Sequence, residues 1–127
     1  MREILFRGKR VDNGEWVISD CFYQCSGLVK LWDAPNKDGW VDVIPETVGQ
    51  YTGLTDKNGT KIFEGDIVWN EYQEEYGEIR YDEETAMLLV TFDSWCVDFD
   101  HYSAKKLEVV GNIHDNPELL KGVNDNG

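Results

Sequence analysis

Residues 45–68, PETVGQYTGLTDKNGTKIFEGDIV, divide the chain into two strand-rich parts. Glycine and asparagine tolerate the positive φ angles that tight turns need. They recur here every few residues, at Gly49, Gly53, Asn58-Gly59 and Gly65. Because a regular element of ordinary length cannot absorb so many turn formers, the spacing predicts a structured connector over residues 45–65. A strand is predicted to follow it, beginning at Asp66.

Short apolar runs separated by Gly and Asn/Asp lie on both sides of this connector, which is the pattern of a β protein. Before it, Asp12-Asn13-Gly14 predicts a hairpin turn between strands at residues 2–7 and 15–22, and further strands are predicted at 28–32 and 40–44. After it, strands are predicted at residues 67–69, 77–81, 86–92 and 107–113. Four such strands can curl into a small closed barrel, which removes exposed sheet edges.

A short helix is predicted at the C-terminal end. Asp115 or Asn116 can cap it, Pro117 suits the first helical position, and Glu118 lies near the positive end of the helix dipole. Gly122 ends the helix and leaves residues 123–127 as a frayed tail. We therefore predict a mainly β chain of one compact unit, with an N-terminal β-strand region (residues 1–44) packed on a barrel region with the helix (residues 45–127).

The charge of the chain is strongly negative and unevenly distributed. The net charge is −13 over 127 residues, and residues 1–40 carry six basic and six acidic side chains, so the excess of acids lies in the rest. Such a surface repels phosphate backbones, which disfavours direct binding of nucleic acid. The densest acidic segment is either a solvated face or a docking surface for a basic protein partner. Its members are Glu71, Glu74, Glu75, Glu78, Asp82, Glu83 and Glu84.

The three cysteines and the N-terminal sequence indicate a cytoplasmic protein. An odd number of cysteines cannot form a closed disulfide framework within one chain, which favours a reducing compartment. The first residues lack the apolar run of a signal peptide, and no stretch has the length and apolarity needed to span a membrane. We expect the protein to act in the host cytoplasm, away from the membrane.

Candidate groups for chemistry are sparse. Cys21 and Cys25, with Cys96 and His101, offer four soft ligands for zinc, but residues four apart on one strand are separated by roughly 13 Å. His101 beside Asp100 lacks a nucleophile motif, and the phosphate-loop and dinucleotide patterns are absent. The acidic clusters lack the ligand spacing of a calcium loop. We predict no catalytic residue, no metal site and no cofactor.

Three stretches of the sequence occur together in a known family. They are Phe6-Arg7-Gly8-Lys9 with Trp16, the central run Pro45–Gly53 continued by Asp56–Gly59 and Lys61–Val68, and the ending Val110-Gly111-Asn112-Ile113 that leads into Asn116-Pro117-Glu118-Leu119. In this order they resemble the YopX family of phage and prophage proteins over nearly the whole chain. The resemblance implies a phage or prophage origin and an SH3-type small barrel, and it implies no established activity.

The polar residues of the central run have two interpretations. Gln50, Thr52 and Asp56 belong either to the scaffold of the connector or to a recognition loop, since polar side chains on a loop held by a rigid scaffold are well placed for contacts. The glycines beside them indicate the scaffold alternative, because they suit backbone positions with positive φ or close approach.

The function predicted from the sequence is a phage-encoded accessory protein that binds a protein partner, from the host or the phage, as an adaptor or modulator. Two alternatives remain open. The acidic segment could mimic nucleic acid and block a host DNA-handling enzyme, or the N-terminal strands could pair between copies in a self-assembling protein. The sequence names no partner.

Overall fold

The computed structural model describes residues 3–33, 38–93 and 95–120, without the side chains of His101 and Tyr102. The described residues are mainly β, with several antiparallel sheets, which confirms the predicted class. Contacts divide the chain into two compact units, Met1–Tyr51 and Thr52–Gly127.

The first unit contains two sheets. One has the order β2-β1-β6, where β6 contributes its first residues, and the other has the order β3-β4-β5. The hairpin predicted around Asp12-Asn13-Gly14 is confirmed, because β1 and β2 pair antiparallel. The elements are β1 (Phe6–Lys9), β2 (Trp16–Ser19), β3 (Phe22–Cys25), β4 (Leu28–Asp33), β5 (Gly39–Val43), a 3-10 helix (Pro45–Thr47) and β6 (Gly49–Thr55).

The core of this unit consists of branched aliphatic side chains at alternating strand positions, as expected when one face of each sheet is buried. Gly8 of β1 allows the strands to approach, because a Cβ atom there would lie 3.0 Å from the side chain of Val43. Leu31 is fully buried. The buried members are Val17, Val29, Leu31, Val41 and Val43.

The second unit is built on a five-stranded antiparallel sheet of order β11-β10-β9-β8-β12, and the end of β6 lies beside β7. A register shift between Val109 and Gly111 interrupts the pairing of β12 with β8. Ile62, Val68, Ile79 and Val90 are fully buried in its core. The elements are β7 (Lys61–Phe63), β8 (Asp66–Asn70), β9 (Glu75–Asp82), β10 (Met87–Thr91), β11 (Cys96–Asp98), α1 (His101–Ala104) and β12 (Leu107–Asn112).

The predicted connector over residues 45–65 is wrong in its main feature. Much of it is strand, in β6 and β7, and Gly53 takes a positive φ of 91° within β6. Glycine adopts such an angle without strain, so this turn former did not end the strand. The predicted strand over residues 15–22 divides into β2 and β3, because the Ser19 hydroxyl accepts a hydrogen bond from the Cys21 N–H (3.0 Å) and turns the chain between them.

The boundary between the two units lies between residues 51 and 52 of the sequence, later than the predicted boundary after residue 44. Residues 45–51 are bound to the N-terminal strands: the Lys9 N–H donates to the Thr47 hydroxyl (2.9 Å) and the Tyr51 N–H to the Leu5 carbonyl (2.8 Å). The closed barrel and the packing of both regions into one unit stay predictions. Residues 118–120 are helical, as predicted, whereas Gly122 and residues 123–127 lie outside the described residues.

Candidate functional site

The outer face of the β3-β4-β5 sheet carries exposed aromatic side chains. Strand alternation sends Val29 and Leu31 of β4 into the core, and it therefore sends Lys30 and Trp32 outward. On this face Tyr23, Trp32 and Trp40 are 50%, 41% and 46% exposed. We call Tyr23, Lys30, Trp32 and Trp40 the aromatic face.

The strand register places these four side chains side by side. Trp32 and Trp40 are direct cross-strand partners and meet edge to face with ring centroids 5.5 Å apart. Tyr23 is the partner of Lys30, and its ring centroid lies 6.2 Å from that of Trp40. Together Tyr23, Lys30 and Trp40 line a groove of about 340 Å³. The face thus offers a ring-lined groove that is open to solvent.

Lys30 contributes its hydrocarbon stem more than its charge to this groove. Its ammonium group forms an ion pair with Asp42 at 2.7 Å, and Asp42 is its cross-strand neighbour on β5. Long basic side chains commonly bury their methylene groups against apolar surface while the charged end stays in contact with water or a carboxylate. The groove therefore has an apolar lining with a neutralised charge at its border.

A second groove, of about 440 Å³, is also lined by Trp40 and is acidic. It is lined by Arg10, Val11, Asp12, Asp38, Trp40, Val41 and Asp42. The buried guanidinium of Arg10 donates to Asp12 through two nitrogens, at 2.9 and 2.7 Å, and to Asp38 at 2.8 Å. The hydrogen bond from Arg10 lowers the pKa of Asp12 below its usual value. Asp12 and Asp38 of the lining thus share one guanidinium, and Asp42 is paired with Lys30 instead.

Arg10 also holds a buried carboxylate. It donates to Asp33 at 3.1 Å, and Asp33 is 2% exposed at the end of β4. The hydrogen bonds that Arg10 donates to Asp12 and Asp38 raise its pKa above the ordinary value, so the guanidinium remains charged. This network fixes the strand ends that border the acidic groove.

The predicted acidic surface does not form one continuous face. Glu71 and Glu74 lie in the β8–β9 turn and Glu75 begins β9, whereas Asp82 ends β9 and Glu83 and Glu84 lie in the turn that follows. The eight residues of β9 separate these groups by roughly 23 Å at the usual rise per residue. Glu78, between them, is half-buried.

Several of these carboxylates already bind groups of the protein. Glu71 forms an ion pair with Lys57 at 3.5 Å, and Glu75 accepts a hydrogen bond from the Trp95 indole at 2.7 Å. Asp82 accepts a hydrogen bond from the Thr85 hydroxyl at 2.6 Å, which lowers the pKa of Asp82. Glu83 and Glu84 are exposed in the β9–β10 turn. Glu74 is likewise exposed in the β8–β9 turn, so Glu74, Glu83 and Glu84 are the acids best placed to meet a partner.

Glu78 gives a prediction about pH. Burial raises its pKa above the ordinary value, with an opposing effect of Arg80. The folded state therefore holds the proton more tightly than the unfolded state, so the free energy of unfolding falls as pH rises from about 4.3 through the raised pKa. Glu78→Gln removes this penalty. It should raise the unfolding midpoint at pH 7, and the gain should vanish below pH of about 4. Thermal unfolding of both proteins across this pH range measures it, and an equal gain at every pH would contradict it.

The predicted recognition loop is placed mostly inside the second unit. Asp56 is 1% exposed and accepts hydrogen bonds from the N–H groups of Asn58, Thr60 and Val109 at 2.8–2.9 Å. Thr52 is buried, and its hydroxyl donates to the Ile62 carbonyl at 2.8 Å. This geometry favours the scaffold alternative for both residues. A recognition role for the half-buried Gln50 stays a prediction.

The structure places the three cysteines at exposed positions with free thiols. Cys25 lies at the end of β3, and Cys21 precedes that strand and donates from its Sγ to Asp20 at 3.3 Å. This hydrogen bond raises the pKa of the Cys21 thiol. Among the described residues, no group of three or more His, Cys, Asp or Glu side chains is arranged to hold a metal ion. The side chain of His101 is outside that set.

The sequence analysis missed the aromatic face. A signal for it was present in Leu28-Val29-Lys30-Leu31-Trp32, where large apolar side chains occupy both alternating sets of positions. A strand with one solvated face should alternate apolar and polar side chains. The aromatic residues on the outward set therefore indicated a surface with a second purpose.

Comparisons with known proteins support the family resemblance. A search of the solved structures finds the crystal structure of protein EF1440 from Enterococcus faecalis, with a TM-score of 0.57 and 24% sequence identity, covering 94% of this chain and 99% of that one. This likeness shows a shared fold. No curated protein matches the sequence.

No helix in the described part of the chain is long and apolar enough to cross a membrane.

The family model described as YopX protein matches residues 6–121, which is nearly the whole chain and includes all three stretches of the resemblance. The chain belongs to the YopX family.

Proposed function

We propose that the chain is a non-enzymatic protein-binding module of phage or prophage origin, an adaptor or modulator that acts in the host cytoplasm through its aromatic face. The observation that carries the proposal is the exposure of Tyr23, Trp32 and Trp40 on one side of a sheet whose other side already provides the core. Clustered exposed aromatic side chains are typical of protein interfaces, where they supply most of the binding energy.

The buried carboxylates support a binding role over a catalytic one. Asp56 accepts three backbone N–H groups, Asp66 accepts the Phe63 N–H at 2.8 Å, and Asp33 pairs with Arg10. Each of these groups thus stabilises the scaffold, whereas a general acid or base would face a pocket that admits substrate.

We also propose that the antiparallel sheet of the second unit closes into the SH3-type barrel that the resemblance implies.

The arrangement of acids bears on the partner. A contact through the acidic segment would use Glu74, Glu83 and Glu84, since Glu71 and Glu75 are bound to groups of the chain. Mimicry of nucleic acid would require acids at regular intervals along one face, and their division between the two ends of β9 does not favour it. Self-assembly through the N-terminal strands stays a prediction.

Capture of partners from a lysate of the host tests the proposal. The immobilised chain is compared with Tyr23→Ser/Trp40→Ser and with two matched variants, Tyr72→Ser, which removes an aromatic side chain that is 71% exposed, and Glu83→Lys/Glu84→Lys. We expect a partner protein that the wild type and Tyr72→Ser retain and the double serine variant loses by at least about tenfold. Circular dichroism checks that each variant is folded.

Salt concentration separates the two candidate surfaces in the same experiment. Capture through apolar rings should persist at high salt, because salt screens charges and leaves apolar contacts intact. Equal capture by the wild type and the double serine variant would refute the proposal. Loss confined to the Glu83→Lys/Glu84→Lys variant would assign the contact to the acidic turn instead.

A further inference from the structure

We infer that the aromatic face binds a proline-rich segment of a partner protein that carries a lysine or arginine beside its prolines. This inference rests on the proposed function and specifies its ligand. The observation behind it is the position of Trp40, which forms a wall of two adjoining grooves, one lined by rings and the other lined by carboxylates.

The first groove suits prolyl side chains. Its walls include the rings of Tyr23 and Trp40, whose centroids are 6.2 Å apart, and its third lining residue is Lys30, whose charge is neutralised by Asp42. A proline ring is apolar and flat, so it can pack against aromatic rings while its backbone stays solvated. Grooves lined by aromatic side chains are a recurrent site for proline-rich segments.

The position of the rings on a sheet face disfavours an added β-strand and suits a polyproline II segment. A β-strand adds to the edge of a sheet through main-chain hydrogen bonds, whereas these rings stand on a sheet face. A polyproline II segment has no internal hydrogen bonds and a narrow cross-section, so it can lie along the rings.

Hydrogen-bond donors are available for the carbonyl groups of such a segment. Within the described ranges, the indole N–H groups of Trp32 and Trp40 have no hydrogen-bond partner in the protein, and both side chains are more than 40% exposed. A polyproline II segment presents solvated carbonyl oxygens that accept bonds of this kind.

The second groove supplies a preference for basic residues. Its lining contains Asp12, Asp38 and Asp42 against the single guanidinium of Arg10. Carboxylates outnumber basic groups here even when Lys30, which pairs with Asp42, is counted among the basic groups. The buried Asp33, which pairs with Arg10, adds one further carboxylate. A lysine or arginine next to the proline-rich segment would meet this charge, and its cation could also lie over the Trp40 ring.

A selection from a displayed library of random peptides, with the immobilised full chain as target, tests the inference. The enriched peptides should contain prolines three residues apart with a neighbouring lysine or arginine, since three residues complete one polyproline II turn. Synthetic copies should lose at least about tenfold in affinity for Trp40→Ala and keep it for Tyr72→Ala. Replacing the basic residue of the peptide by glutamate should weaken binding several-fold, as should Asp38→Asn in the protein.

A nuclear magnetic resonance titration keeps the test decisive if Trp40→Ala does not fold. A bound peptide should shift the indole N–H signals of Trp32 and Trp40 and leave those of Trp69 and Trp95 in place. The inference is overturned if no peptide is enriched, if the enriched peptides lack proline or basic residues, or if they shift the other indoles. If a host protein is nevertheless captured through Tyr23 and Trp40, the proposed function stands and only this ligand assignment falls.

Discussion

Asp56→Ala should lower the free energy of unfolding of the second unit by about 3 kcal/mol or more. The carboxylate accepts the N–H groups of Asn58 and Thr60 on one oxygen and the Val109 N–H on the other, and it is almost completely buried. Hydrogen bonds to a charged acceptor contribute more than neutral ones, and a buried N–H that loses its acceptor pays the cost of its desolvation. The substitution also cuts the link between the turn before β7 and β12, which are 53 residues apart in sequence.

Two further substitutions control this result. Asp56→Asn keeps one acceptor oxygen, so either the turn or Val109 keeps its acceptor while the other meets an NH₂ group, and the loss should be intermediate. Asp93→Ala removes an exposed acid of the same unit and should change stability little. Denaturant unfolding measures all three. Equal stability of Asp56→Ala and the wild type would show that the residue is free to act in recognition, as the other alternative for the central run requires.

Leu31→Ala should destabilise the first unit by about 2 to 5 kcal/mol, whereas Trp32→Ala should cost only about 1 kcal/mol. The two residues are neighbours on β4 and point to opposite faces of the sheet. Leu31 is fully buried among the branched side chains of the core, so its removal leaves a cavity. Trp32 is exposed, and its ring packs edge to face against Trp40, so its removal costs one aromatic pair.

This pair of substitutions separates folding from binding on a single strand. If the aromatic face exists to contact a partner, its side chains should be nearly dispensable for stability, although larger than the side chains of the core. Denaturant unfolding of the two variants gives the comparison. A loss for Trp32→Ala as large as the loss for Leu31→Ala would mean that the aromatic face belongs to the core of the first unit.

The sequence was sufficient to predict the strands that have clear boundaries. Asp12-Asn13-Gly14 marks a tight turn between two apolar runs, so the β1–β2 hairpin follows from local chemistry. The strands β4, β5, β8, β9, β10 and β12 also fall close to their predicted ranges, because each is an apolar run between turn formers. The pattern of short apolar runs between turn formers was enough for the mainly β class.

The errors arose where tertiary contacts override local signals. Gly49 and Gly53 indicate turns, yet β6 passes through both because β1 pairs with its start and β7 lies beside its end. Asp56 is a polar residue in a turn-rich segment, and only the position of Val109 shows that its carboxylate joins distant strands. The acids around β9 are dense in sequence, but an extended strand separates them in space.

The sequence of β4 signals that both alternating sets of positions carry large apolar side chains, but it does not show which set faces the core. Trp32 and Trp40 lie in the predicted strands 28–32 and 40–44, for which the sequence analysis assigned no inward face. Their cross-strand pairing, and the choice of Val29, Leu31, Val41 and Val43 as inward residues, place them outside that core. The strand register therefore identifies Trp32 and Trp40 as part of a candidate binding surface.

Site-specific photo-crosslinking in the host cell tests the central claim most directly. A photoreactive p-benzoylphenylalanine is introduced at Tyr23, at Tyr72 or at Glu83, and the crosslinked products are identified by mass spectrometry. Binding through the aromatic face predicts a crosslinked partner protein from position 23, and no such product from position 72 or 83. Products from position 72 or 83 with none from position 23 would contradict it.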